Sequence, residues 1–173
     1  MSGVYGIDPF FTYTFEDSSY NNARDCIPFQ PESLMAYLVE NHPKFTKIVE
    51  NTKYYSGIFS DLQFRGTLFI PMEESIPDYF LENMDINFCR RFVDYHMMEG
   101  YFPKLVLLTS PYQQLQTKIK GQYITASMNS IPKSNNEVSL VLNDSAYIME
   151  FDRRVKNAMI HIISSPLPLN FFA

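Results

Sequence analysis

Tryptophan is absent from this chain, and it holds only two cysteines, three histidines and six glycines in 173 residues. These shortages remove whole classes of protein. Cys26 and Cys89 are too few for a disulfide scaffold. Both read as reduced thiols, Cys26 in a loop-like segment and Cys89 in a helical pattern beside Phe88 and Phe92. His42, His96 and His161 stand far apart and outside any H-E-x-x-H cluster, whereas catalytic zinc takes three protein ligands. No G-x-S-x-G elbow presents a nucleophile, and no glycine-rich loop is there to cradle a phosphate. Positive charge is also short. Against 19 Asp and Glu stand 14 Lys and Arg, for a net charge of −5. That argues against a nucleic-acid partner, which calls for a basic face. Arg90-Arg91, Lys118-Ile119-Lys120 and Arg153-Arg154-Val155-Lys156 read as solvated surface clusters. Apolar runs such as Leu105-Val106-Leu107-Leu108 are too short to cross a bilayer. Met1 to Pro9 show neither the basic start nor the apolar stretch of a secretory leader, and Ser2 stands where myristoylation needs glycine. The expectation is a soluble product of a reducing compartment.

What the chain does hold is rings. Fifteen Phe and twelve Tyr bring the aromatic share to 16% within a hydrophobic fraction of 46%, enough for one domain with a ring-built core and an appendage. The appendage is residues 1–30. There Tyr5, Phe10, Phe11, Tyr13, Phe15, Tyr20 and Phe29 are scattered among Gly, Pro, Asp, Ser and Asn without a helical period. Phe11, Tyr13 and Phe15 alternate with Thr12 and Thr14 like a short strand, which Asp17-Ser18-Ser19-Tyr20-Asn21-Asn22 breaks with turn formers. A solvated tail is poor in aromatics. This arm therefore needs a surface, either its own sheet or a neighbouring subunit reached by strand addition or aromatic anchors. Tyr5, Phe10, Phe11, Tyr13, Phe15 and Tyr20 are the candidate partner-binding residues. The apolar end Pro166-Leu167-Pro168-Leu169-Asn170-Phe171-Phe172-Ala173, of which residues 169–173 form a tail beyond the domain, invites the same view.

A compact domain is expected over residues 31–168. Pro31 suits a first helical position, and Leu34, Met35, Leu38 and Val39 repeat at helical spacing up to Glu40. Pro43 restarts a helix with Phe45, Ile48 and Val49 on one face, and His42 before it should lie at the surface. Ile58, Phe59 and Leu62 suggest a short helical turn. Thr67 to Ile70 reads as a strand stopped by Pro71, and Glu73 to Asn83 as helix broken at Pro77, opened by Glu73-Glu74 facing its dipole. Ile86 to Tyr95 is amphipathic helix. After Gly100 the period changes to that of strands: Lys104–Thr109, Gln113–Ile119, Gln122–Met128, Val138–Leu142, Tyr147–Phe151 and Met159–Ser164. Gly121 and Asn143-Asp144 mark hairpin turns, and the formal glycosylation sequon Asn143-Asp144-Ser145 is read as turn. Pro132 to Asn136 is an exposed loop. Helices first and strands later make the class α+β.

Three segments then stand out: Thr67-Leu68-Phe69-Ile70-Pro71, Tyr95-His96 and Ala158-Met159-Ile160-His161-Ile162-Ile163-Ser164. Their order and spacing, with Asn41-His42-Pro43-Lys44-Phe45 as an early helix-to-helix turn, resemble the fasciclin domain of adhesion and matrix proteins over about Glu32 to Pro168. The family's usual residues after the first strand are replaced by Met72, Glu73, Ser75 and Ile76, and its glycine and aspartate around the last strand by Ala158 and Ser164. The resemblance implies a wedge-shaped β-sandwich of about seven strands with a helical layer. It also implies a structural frame built on Thr67, Phe69, Pro71, Tyr95, His96, Ile160 and His161.

His96 and His161 are the residues that most invite a chemical role. The alternative is a buried imidazole that finds one donor and one acceptor, which is the expectation for both. With no catalytic constellation, the expected protein is a non-enzymatic interaction protein without cofactor, metal or small-molecule ligand. Fasciclin-like modules also resemble some minor capsid proteins of large icosahedral DNA viruses, and that resemblance implies a minor component of such a large assembly, in virion or host cytoplasm, linked to other subunits through its arm. The alternative is an extracellular or cell-surface adhesion domain that has lost its signal peptide.

Overall fold

The computed structural model describes residues 29–30, 32–82, 84–130 and 138–167. Residues 1–28, with the six candidate anchors of the arm and Cys26, lie outside the described residues. So do the Pro132–Asn136 loop and the 169–173 tail.

The helices come first. Helix α1 is Leu34–Asn41 and α2 is Pro43–Asn51. The start expected at Pro31 falls three residues later, because Ser33 caps the helix with its side chain on the Ala36 N–H. Pro43 at the first helical position leaves His42 as the last cap of α1 and the first of α2. That double role turns His42 inward, and it is buried rather than at the surface. Helix α3 is Tyr55–Ser60, α4 is Asp78–Glu82 and α5 is Ile86–Tyr95. Asp85 caps α5 by accepting the Phe88 N–H. Glu73 to Asn83 is not continuous helix: a 3-10 turn at Glu73–Ser75 precedes Pro77 and α4. The Glu73 carboxylate does not serve its own turn. It accepts the Lys44 N–H at 3.0 and 3.2 Å and so caps α2 from outside.

The strands are β1 Phe29–Gln30, β2 Gly66–Pro71, β3 Met97–Met98, β4 Tyr112–Gln116, β5 Tyr123–Ser130, β6 Val138–Leu142, β7 Ala146–Val155 and β8 Ala158–Ile163. They join in the order β3-β2-β8-β7-β6-β5-β4, with β1 parallel on β7. The pairing of β2 with β8 is parallel and the others on the path are antiparallel. Strand β7 belongs to both halves. Its start pairs with β6, its end with β8 and β1, and the register slips between Glu150 and Arg153, where Asp152 takes a φ of 63°. The β6–β7 hairpin turns through Asn143, Asp144 and Ser145, the first two left-handed at φ 52° and 55°, and the Ser145 N–H donates to the Leu142 carbonyl at 3.0 Å. Gly121 at φ 83° turns β4 into β5.

One expected strand is a helix. Lys104–Leu107 forms α6, after the Pro103 cap, and only Leu107 of its apolar run is fully buried. The Asp152 carboxylate accepts the Lys104 N–H at 2.8 Å and closes the first turn. A four-residue apolar run suits either form, and this tertiary cap decides it. Strand β3 is an addition, two buried methionines straight after Tyr95-His96. Arg154 is buried, not solvated like its neighbour Arg153.

Two apolar clusters flank the β2–β8 pair. On one face, Leu68, Ile70, Ala158, Ile160 and Ile162 meet Leu34, Leu38, Phe45, Ile48, Phe59 and Phe92 of the helical layer. On the other, Phe69 and Ile163 meet Leu115, Ile124, Leu140, Leu142 and Ile148 of the second half-sheet. The strands' two-residue alternation sends each set to its own side. The fold is thus α+β: a mixed sheet folded into a sandwich, with helices over one face.

Candidate functional site

Strands β2 and β8 lie in parallel register, with Thr67 opposite Met159, Leu68 opposite Ile160, Phe69 opposite His161 and Pro71 opposite Ile163. The first and third segments singled out in the sequence are therefore neighbours. The Phe69 N–H donates to the His96 carbonyl at 2.8 Å, which brings in the second. Phe69 also stacks on the His161 ring at a centroid distance of 5.7 Å. Pro71, which has no N–H to give, ends β2.

Each polar member of this frame holds an irregular segment. The Thr67 hydroxyl donates to the Gly100 carbonyl at 2.7 Å and accepts the Phe102 N–H at 2.9 Å. The Tyr95 hydroxyl accepts from Asn143 Nδ2 at 2.8 Å, binding α5 to the β6–β7 turn. His96 Nδ1 donates to the Phe92 carbonyl at 2.7 Å, and its Nε2 accepts the Leu167 N–H at 2.9 Å. His161 has the opposite arrangement: Nε2 donates to the Phe102 carbonyl at 2.8 Å, and Nδ1 accepts the Asp152 N–H at 3.2 Å. These partners define a neutral imidazole in both cases, with the proton on Nδ1 of His96 and on Nε2 of His161. Burial keeps them so, lowering His96 from 6.5 to about 4 and lowering His161 as well. With both nitrogens occupied by backbone, neither ring has a lone pair for a metal or a free site for proton transfer. Ile160 faces the helical layer, fully buried.

Other titratable groups are likewise enclosed. Burial raises the Cys89 thiol, which takes the Asn51 amide at 3.4 Å and is disfavoured as a thiolate. The Tyr55 hydroxyl bonds to Asp94, and burial raises both groups. Among the described residues there is no group of three or more His, Cys, Asp and Glu placed to hold a metal ion. No described helix is long and apolar enough to cross a membrane.

Sequence reasoning passed over one concave site. A cleft of about 250 Å³ opens between the α1–α2 joint (Tyr37, Asn41, His42), the 3-10 turn (Glu73, Glu74) and β7 (Glu150, Arg153). The only early signal was His42-Pro43, since a proline at the first helical position forces the residue before it to serve two helices. Nothing in the sequence ties His42 to Arg153.

The fasciclin domain model matches residues 40–169, well over half of the chain, and the chain belongs to that family. Among solved structures, a FAS1 domain pair from the insect cell adhesion molecule fasciclin I has the same fold, with a TM-score of 0.62 at 14% identity. The similarity covers 82% of this chain and 52% of that one, so the chain spans about half of the pair. No curated protein matches the sequence.

Proposed function

We propose that this chain is a non-enzymatic protein-interaction domain of the adhesion type, serving as a structural component of a larger protein assembly. The supporting observation is that His96 and His161 of a fasciclin domain are both occupied by backbone, which directs attention from chemistry to surfaces. On this reading the aromatic arm makes the main contact, through Tyr5, Phe10, Phe11, Tyr13, Phe15 and Tyr20. The assembly proposed is the capsid of a large icosahedral DNA virus, where a small acidic domain would link coat subunits in virion and host cytoplasm. A second reading is favoured by the adhesion molecule that shares the fold: a cell-surface or matrix domain.

The test is native purification of the full chain beside a variant with the six arm aromatics changed to serine. The expected result is a stoichiometric complex with protein subunits that the variant loses while melting unchanged. A full chain that purifies alone from its native source overturns the proposal. Immunogold labelling separates the two settings: particles under the first, cell surface or matrix under the second.

A further inference from the structure

The cleft at the α1–α2 joint has a built character that the histidine frame lacks. Met72 and Ile162 are the apolar residues of its lining. One wall is two rings, Tyr37 and His42, with centroids 5.4 Å apart. His42 is only 9% exposed. Its Nε2 meets the Tyr37 hydroxyl at 3.4 Å, a long contact, and its Nδ1 has no hydrogen-bond partner among the described residues. Burial lowers its pKa to about 4, so it carries no charge at neutral pH.

The rim is acidic. Glu73, Glu74 and Glu150 face a single guanidinium, Arg153. Arg153 is committed inside the cleft, to Glu150 at 2.6 and 2.9 Å, and interacts with the Tyr37 hydroxyl. Glu73 gives both oxygens to one N–H of α2, which leaves most of its accepting capacity open. Glu74 is exposed and has no partner among the described residues. The Lys44 ammonium is turned to Asp78 at 3.2 Å and to the Ile76 carbonyl at 2.9 Å. The cleft therefore combines surplus negative charge, open acceptors, two apolar side chains and two rings, and its volume suits one side chain.

We propose that this cleft receives one basic side chain of a protein partner, with arginine held better than lysine. Its methylene stem lies on Met72 and Ile162, and its head meets Glu74 and the open lone pairs of Glu73. A guanidinium gains more than an ammonium here, because its planar fork can donate to two carboxylates at once and it is the more weakly hydrated of the two. The net charge of −5 favours basic partners at long range. The inference rests on the interaction reading above and names one contact within it.

The experiment uses the full chain and small probes, so that no partner is needed. Blocked arginine (N-acetyl-arginine methylamide) and the matching lysine, norleucine and glutamate compounds are titrated while backbone and imidazole NMR signals are followed. The expected result is saturable shifts at Tyr37, His42, Glu74 and Ile162, strongest with arginine, weaker with lysine and absent with glutamate. Glu74→Gln, a change at an exposed side chain, should weaken arginine binding about threefold without altering the melting curve. Equal response to norleucine, a response to glutamate, no saturable shift with any probe, or no effect of Glu74→Gln each overturns the proposal. An assembly that forms normally while arginine fails to bind removes this contact and leaves the interaction reading standing. Arginine binding by a chain that has no protein partner removes that reading and leaves the cleft.

Discussion

The two faces of the β2–β8 pair are built on different principles. Toward the helices, Leu68, Ile70, Ile160 and Ile162 join one apolar cluster with the helical layer. Toward the second half-sheet, fully buried Thr67 and His161 stand beside Phe69 and Ile163. The first face is held by removal of apolar area from water, which has no direction and tolerates volume-conserving exchange. The second face adds hydrogen bonds to particular backbone groups at Gly100, Phe102 and Asp152, and these fix where irregular segments run. The larger loss on substitution is therefore expected on the helical face, and the more local loss at the hydrogen-bonded loops.

Substitutions can separate these contributions. The largest loss is expected on the helical face. Phe92→Ala removes a fully buried ring packed on Phe45, Phe80 and His96, and should cost about 3–5 kcal/mol in urea unfolding. A cost below that of a polar-face change would reverse the comparison. Acid acts next, on the histidines. His96 has a folded pKa of about 4 against 6.5, so its neutral form stabilises the fold fully above pH 6.5. That contribution is lost as pH falls from 6.5 through 4, on the order of 3 kcal/mol. His161, lowered in the same direction, adds to the loss. Stability measured from pH 7 to 4 should fall, and His96→Gln should flatten the slope; equal slopes in both proteins would exclude His96 as its source.

Smaller effects probe the loops. Thr67→Val keeps the shape but leaves the Phe102 N–H without its partner, for about 1–2 kcal/mol. Amide exchange should quicken first around Gly100 to Phe102, while uniform quickening would mean that the hydroxyl serves the whole sheet. The smallest effect belongs to the half-exposed Glu150–Arg153 pair. Glu150→Gln should change stability by less than about 0.5 kcal/mol.

The apolar face was the more legible in sequence. Leu34, Leu38, Phe45, Ile48, Val49, Phe92 and Val93 all fall on buried helix stripes that their spacing anticipated, and β2, β6 and β8 stand where alternation or apolar runs put them. What escaped was decided by groups distant in the chain. Lys104 begins a helix because Asp152 caps it, and Glu73 serves α2 rather than its own turn. No local pattern carries either contact. The frame histidines were visible as residues, but their backbone partners were not, since Leu167 and Phe102 lie 71 and 59 positions away. The cleft was missed because His42 looked like a surface cap and its opposite wall comes from β7.

The two frame histidines carry their protons on opposite nitrogens, and this makes them distinguishable by eye in a spectrum. Imidazole nitrogen shifts separate the two tautomers, so one ring reports on the backbone at Leu167 and the other on the backbone at Phe102, without a label added to the chain. An event that loosens one segment alone would blur one pattern and leave its counterpart sharp. The molecule thus contains a pair of internal gauges, one for each segment.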